Sequence, residues 1–137
     1  MRLADDDSVH CLGRDDINIL DAVSLASVLN RFQPAGIINA SAYTAVDKAE
    51  SDQANAFALN QTAVANLATY AREQQIHLVH VPTDYVFGGD KWSPYQVDDN
   101  YHPQVVYGAS KAAGEKALLD IYPQASCISR TSWVDAS

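Results

Sequence analysis

Tyr107 and Lys111 stand four positions apart in Tyr107-Gly108-Ala109-Ser110-Lys111, so on a helix the phenol and the ammonium lie one turn apart on the same face. They can share a site. At about 4 Å and an effective dielectric of about 20, a lysine charge favours a phenolate by roughly 4 kcal/mol before desolvation is subtracted. That corresponds to about three pKa units, which brings a phenol from near 10 toward neutrality. There it can protonate a carbonyl oxygen while a hydride reaches the carbon. Taken alone the same spacing also describes a surface Tyr–Lys contact. Thr83 adds context: it follows a predicted strand, where its hydroxyl can hydrogen-bond the same carbonyl oxygen.

The elements that would position these groups alternate along the chain. Val9 to Leu12 is a short apolar run closed by Gly13-Arg14-Asp15-Asp16, which predicts a strand feeding a polar loop. Asp21 is placed to cap a helix whose stripe of Val23, Leu25, Ala26, Val28, Leu29 and Phe32 ends before Pro34. Gly36 to Ala40 predicts a buried parallel strand, and Asn39 to Glu50 a ligand-facing loop. From Ser51 to about Gln75, Ala54, Phe57, Ala58, Val64, Leu67, Ala68 and Ala71 recur at helical spacing. Ile76 to Val81 predicts a third strand ended by Pro82. A long loop from Thr83 to Pro103 follows, of a length usually reserved for function. A helix from about Gln104 to Ile121 and a strand from Ala125 to Ser129 complete the pattern. Such alternation predicts an α/β fold with a doubly wound parallel sheet covered by helices on both faces. Ligands of such sheets sit at the carboxyl ends of the strands, where Asn39 to Tyr43, Thr83 to Phe87 and Arg130 to Trp133 all fall.

Composition narrows the partners. The 137 residues are 47% apolar and 19% charged, which suits one domain with one core. A formal charge of −8 repels a phosphate backbone over most of the surface, so nucleic acid is not an expected partner. No apolar stretch approaches the roughly 18 residues that span a bilayer, and the first residues carry no signal-peptide core, so a soluble cytoplasmic protein is expected. Cys11 and Cys127, in short apolar runs far apart, read as buried thiols. His10, His77, His80 and His102 form no metal-ligand spacing, and Asp5 to Asp7 lack the glycine and glutamate of a calcium loop.

Four blocks occur in order between about residues 36 and 135. They are Asn39-Ala-Ser-Ala-Tyr-Thr-Ala-Val-Asp47-Lys48-Ala-Glu50, Thr83-Asp84-Tyr85-Val86-Phe87, Tyr107-Gly-Ala-Ser-Lys111-Ala-Ala-Gly-Glu115-Lys116-Ala and Arg130-Thr131-Ser132-Trp133-Val134. Together they resemble the dTDP-4-dehydrorhamnose reductase family of extended short-chain dehydrogenases. The resemblance implies a Rossmann-like domain in which NADPH or NADH reduces the 4-keto group of a dTDP-6-deoxy-hexose, in dTDP-rhamnose biosynthesis. It implies that Tyr107 is the general acid and that Lys111 binds the nicotinamide ribose and lowers the phenol's pKa. Thr83 would orient the keto oxygen, and Asn60 matches the asparagine these enzymes place near the site, with a buried amide satisfying backbone groups as its structural reading. Ala40, Ser41 and Ala42 would pass close to the cofactor. Asp84, Tyr85, Val86 and Trp133 would face the sugar nucleotide. Arg14 occupies a place where such enzymes can meet an adenosine 2′-phosphate, although an exposed loop charge is the better reading of it. A homodimer is implied for a full-length form.

The sequence departs from the family pattern at Pro82, usually serine, and at Asp135, usually aromatic. No G-x-x-G-x-x-G turn occurs among the 137 residues, and such a turn brings backbone amides to a pyrophosphate. Residues 1–137 are therefore expected to be a partial dinucleotide-binding domain that carries the Thr/Tyr/Lys set, lacking the first strand and the C-terminal substrate portion. Two alternatives share the resemblance: a non-catalytic binding subunit like the regulatory subunit of methionine adenosyltransferase, or another sugar-nucleotide dehydrogenase, epimerase or dehydratase. Tyr85 stands where the similar dehydratases carry an acidic residue, which favours simple reduction.

Overall fold

The Asp21 carboxylate accepts hydrogen bonds from the backbone N–H of Val23 and Ser24 at 3.0 and 3.1 Å, and helix α1 (Ala22–Phe32) starts there as expected. It stops where Gln33 turns left-handed at φ 46°, just ahead of Pro34. The computed structural model describes residues 8–82 and 105–129. Within them the chain continues through β1 (Gly36–Asn39), α2 (Val46–Ala49), α3 (Gln53–Phe57), a π-helical turn (Ala58–Thr62), α4 (Ala63–Gln74), β2 (His77–His80), α5 (Val106–Ile121) and β3 (Ser126–Ile128).

The three strands are parallel in the order β1-β2-β3, with Ile37 opposite Leu78, and Asn39 opposite His80, which in turn faces Ile128. Because side chains alternate along a strand, these five residues share one face of the sheet. Leu78 meets Leu25 and Leu29 of α1, Val64, Leu67 and Ala68 of α4, and Leu118 of α5 in one buried cluster. The opposite row fares differently: Ile38 is 61% exposed, Val79 half-buried and Cys127 exposed. The α/β fold with a parallel sheet is as expected, but among the described residues the helices cover one face only. The reason is topological. Strands added in one direction through right-handed crossovers put every connecting helix on the same side.

Other differences have local causes. Val9 to Leu12 forms no strand; Leu12 packs against the core instead, and no ladder partner lies beside it among the described residues. Cys11 and Cys127 are exposed rather than buried, since Cys11 lies in this irregular segment and Cys127 points to the uncovered face of an edge strand. The segment Asn39 to Glu50 is not wholly loop, because Val46 to Ala49 make a helical turn. The predicted loop from Thr83 to Pro103 lies outside the described residues.

The long helix expected from Ser51 is interrupted by the π turn, and the interruption shifts its buried face. Ala54 is exposed while Ala56 and Asn60 are buried. A wider turn also brings the backbone of Asn60 against α5: a Cβ on Gly114 would sit 1.9 Å from the Asn60 carbonyl oxygen. Only a residue without a side chain admits that approach. Gly114→Ala must therefore push α5 from the π turn and is expected to cost about 1–3 kcal/mol, read as a lower urea midpoint. An unchanged midpoint would show that the two helices do not pack this closely.

Candidate active site

The carboxyl ends of β1 and β2 place Asn39 and His80 side by side at one rim of the sheet, and both are buried, at 5% and 1% exposure. Asn39 is tied on both sides. Its Oδ1 accepts from the Ser41 N–H at 3.0 Å and the Ser41 hydroxyl at 2.6 Å, while its Nδ2 lies 3.2 Å from His80 Nδ1. Ser41 and Ala42 are half-buried and Ala40 is exposed, so the segment leaving β1 is small-chained, as expected of a loop that a ligand approaches.

The first turn of α5 has no cap from its own flank, because Val105 offers no side-chain acceptor. Glu50 supplies one from across the chain: its Oε1 accepts from the Val106 N–H at 2.8 Å. This contact holds the start of the helix where Tyr107 begins. Tyr107 is buried with Ala49 and Ala56 and packed by Tyr43 and Val46. Tyr43 donates its hydroxyl to Asp52 at 3.0 Å, and burial together with that carboxylate raises the phenol's pKa.

Asn60 joins three elements. Its Oδ1 accepts from the Tyr43 N–H at 2.9 Å, and its Nδ2 donates to Ser110 Oγ at 2.9 Å; Ser110 in turn donates to the Tyr107 carbonyl at 2.7 Å. Its bonds are those of a buried amide satisfying a backbone donor and a neighbouring hydroxyl. Through them Asn60 clamps the segment after β1 to the turn of α5 that carries Tyr107.

Lys111 is 2% exposed, one helical turn beyond Tyr107. Burial lowers its pKa below the ordinary lysine value, and the Glu115 carboxylate works in the opposite direction. The His80 imidazole is pushed down to about 4, by burial first and the Lys111 charge second. The structure thus brings Tyr107, Lys111, Asn60 and the Ala40–Ala42 segment to one end of the sheet. Thr83, Asp84, Tyr85, Val86 and Trp133 lie outside the described residues. Arg14 sits in an exposed turn closed by Asp16, whose carboxylate accepts from the Gly13 N–H at 2.7 Å. Sequence reasoning passed over Asn39, Glu50, His80 and Ser110. Their signal was present, since Asn39, Glu50 and Ser110 lie inside the quoted blocks and His80 is a polar residue on a buried strand.

Above about pH 6.5 the folded and unfolded chains both hold His80 neutral. As the pH falls from there toward 4, the unfolded chain binds a proton that the folded one refuses, and stability is lost. The loss should reach about 3 kcal/mol. Urea midpoints taken at about pH 7 and about pH 4.5 should show this drop in the wild type and a smaller one in His80→Gln. Parallel curves would place the imidazole in water.

Comparison with known proteins identifies the family. The model of the RmlD substrate binding domain matches residues 1–137. The chain is similar to a dTDP-4-dehydrorhamnose reductase of Streptomyces griseus, 39% identical over 93% of this chain and 42% of the relative. It is similar also to one of Salmonella typhimurium, 47% identical over 82% of this chain and 37% of the relative. Among solved structures, a dTDP-4-dehydrorhamnose reductase of Bacillus anthracis in complex with NADP superposes with a TM-score of 0.85 at 34% identity, over 89% of this chain and 43% of that one. The chain therefore spans less than half the length of these relatives. With its Rossmann-like sheet, its buried Tyr107 and Lys111, and a match along all 137 residues, the chain belongs to the RmlD family, that of the dTDP-4-dehydrorhamnose reductases.

Proposed function

We propose that this chain supplies the proton-donating half of a reductase that converts the 4-keto group of a dTDP-6-deoxy-hexose, dTDP-4-dehydro-L-rhamnose in the first instance, to an alcohol. The observation that carries the proposal is the burial of Tyr107 and Lys111 together on α5, at the end of a parallel sheet where ligands of such folds bind. A buried cation placed one turn from a phenol is suited to hold it ready to lose a proton.

The residues present fit the nicotinamide end of NADPH or NADH. Lys111 is a buried donor with a lowered pKa, suited to ribose hydroxyls, and Ala40, Ser41 and Ala42 keep the segment leaving β1 narrow. When bound, the reduced nicotinamide supplies the hydride to the carbonyl carbon. The Tyr107 hydroxyl gives its proton to the carbonyl oxygen as negative charge develops there, and the Lys111 charge stabilises the phenolate left behind. Thr83 donates its hydroxyl to the same oxygen and orients it. Asp84, Tyr85, Val86 and Trp133 contact the sugar nucleotide. Asn60 acts through the α5 clamp, which keeps Tyr107 at a fixed height above the strand ends. No glycine-rich turn occurs in the sequence, so the pyrophosphate contacts are not assigned to these 137 residues. A cytoplasmic setting and a homodimer of the longer form belong to the same proposal.

The test is a graft of residues 1–137 in place of the matching stretch of a longer relative, assayed with NADPH and the 4-keto sugar nucleotide. Nicotinamide oxidation should appear, and Tyr107→Phe should lower kcat by about a hundredfold or more. Equal turnover by that variant would remove Tyr107 from the chemistry. No turnover by the graft, with a stoichiometric protein partner captured instead, would favour the binding-subunit reading.

A further inference from the structure

The hydrogen bonds between Ser41, Asn39 and His80 admit one arrangement of protons. The backbone N–H of Ser41 can only donate, and it lies 3.0 Å from Asn39 Oδ1, which also takes the Ser41 hydroxyl at 2.6 Å. A carboxamide turned the other way would set its NH2 against that N–H, donor against donor. The oxygen of Asn39 therefore faces Ser41, and its nitrogen faces His80 Nδ1, 3.2 Å away. That nitrogen has only hydrogens to offer. Nδ1 must accept, so the imidazole is neutral and carries its hydrogen on Nε2.

The backbone holds both partners in place. Asn39 and His80 are register partners on adjacent strands, and the ladder runs past each of them. The Val81 N–H donates to the Asn39 carbonyl at 3.1 Å, and the Ser129 N–H to the His80 carbonyl at 3.0 Å. Both side chains are buried, and among the described residues Nε2 meets no hydrogen-bond partner, so the contact with Asn39 is the ring's one hydrogen bond there. An apolar side chain would be cheaper to bury in that place. What the imidazole adds is a lone pair level with the Asn39 carboxamide. Without it the buried Asn39 nitrogen loses its acceptor, and the carboxamide is drawn away from Ser41 toward water.

We propose that His80 is a positioning residue for the segment that leaves β1: its Nδ1 lone pair holds the Asn39 carboxamide with the oxygen toward Ser41, and so fixes the course of Ala40, Ser41 and Ala42. The relay crosses from the end of β2 to the end of β1 and then runs out along the chain. Its link to catalysis rests on the reading of that segment as the one that passes close to the cofactor; the relay itself does not.

In the 15N-labelled 137-residue chain at neutral pH, imidazole NMR should find His80 as the Nε2–H tautomer, with a scalar coupling from Asn39 Nδ2 to His80 Nδ1 across the hydrogen bond. Asn39→Asp, which turns an acceptor toward the ring, should move the ring hydrogen to Nδ1. His80→Leu should speed exchange of the Ser41 amide about tenfold, and His80→Asn, whose Oδ1 stands near the place of Nδ1, should restore most of the protection. A merely loosened fold would speed exchange in all three strands instead. In the graft, His80→Leu should raise KM for NADPH about five- to tenfold and leave kcat within about twofold. An Nδ1–H ring in the wild type, unchanged Ser41 exchange in the leucine variant, or a fall in kcat at constant KM would each overturn the positioning role. If the leucine variant does not fold, the wild-type tautomer and its reversal by Asn39→Asp decide. A graft without turnover, in a chain whose tautomer and Ser41 exchange are as stated, removes the reductase reading and leaves the relay; turnover with an Nδ1–H ring does the reverse.

Discussion

The contact between the backbone of Asn60 and the bare Cα of Gly114 governs how near α5 can lie to the rest of the molecule. The widened turn at Ala58 to Thr62 pushes one carbonyl outward, and Gly114 receives it where any side chain would collide. The Asn60 side chain then reaches both Tyr43 and Ser110, which it could not do across an ordinary helix spacing. π turns recur at functional sites because the extra residue re-aims a side chain without breaking the helix. In this chain it turns one asparagine into the joint between a crossover and the helix that bears Tyr107 and Lys111.

Electrostatics follows from that closeness. Packing α5 tightly takes Lys111 out of water, which is why its pKa falls, and Glu115 one turn further along the helix offsets part of the cost. Burial, and second to it the Lys111 charge, keeps His80 neutral at the end of β2. A neutral histidine and a destabilised ammonium, both buried, are sensitive to every hydrogen bond they make. The exposed pair of Lys116 and Asp120 on the same helix, 2.7 Å apart, contributes little by comparison, because both partners remain in water.

The sheet explains why these groups meet at one end. Three parallel strands run in the same direction, so Asn39, His80 and Ile128 all close their strands on one rim, and the chain leaves each strand there. Crossovers that advance in one direction keep α4 and α5 on one face, where α1 joins them, which buries that face and, among the described residues, leaves Ile38, Val79 and Cys127 on the other only partly covered.

Periodicity and capping chemistry were enough to place most elements. Asp21 announces α1, Pro34 ends it, and the β-branched runs at Ile37 and Val79 mark strands, because these are local preferences that hold wherever the segment sits. The Tyr107 and Lys111 spacing and the blocks around it were likewise legible, since residues one helical turn apart face the same way in any helix. What the tertiary structure alone decided were contacts between segments far apart in sequence. Glu50 capping α5, Asn60 binding Ser110, and Asn39 meeting His80 depend on two stretches of backbone arriving at the same point. The exposure of Cys127 was hidden for the same reason, as an apolar neighbourhood in sequence does not reveal which face of a sheet is covered. Local sequence determines which shapes a segment prefers; only packing determines what each polar atom meets once water has been excluded.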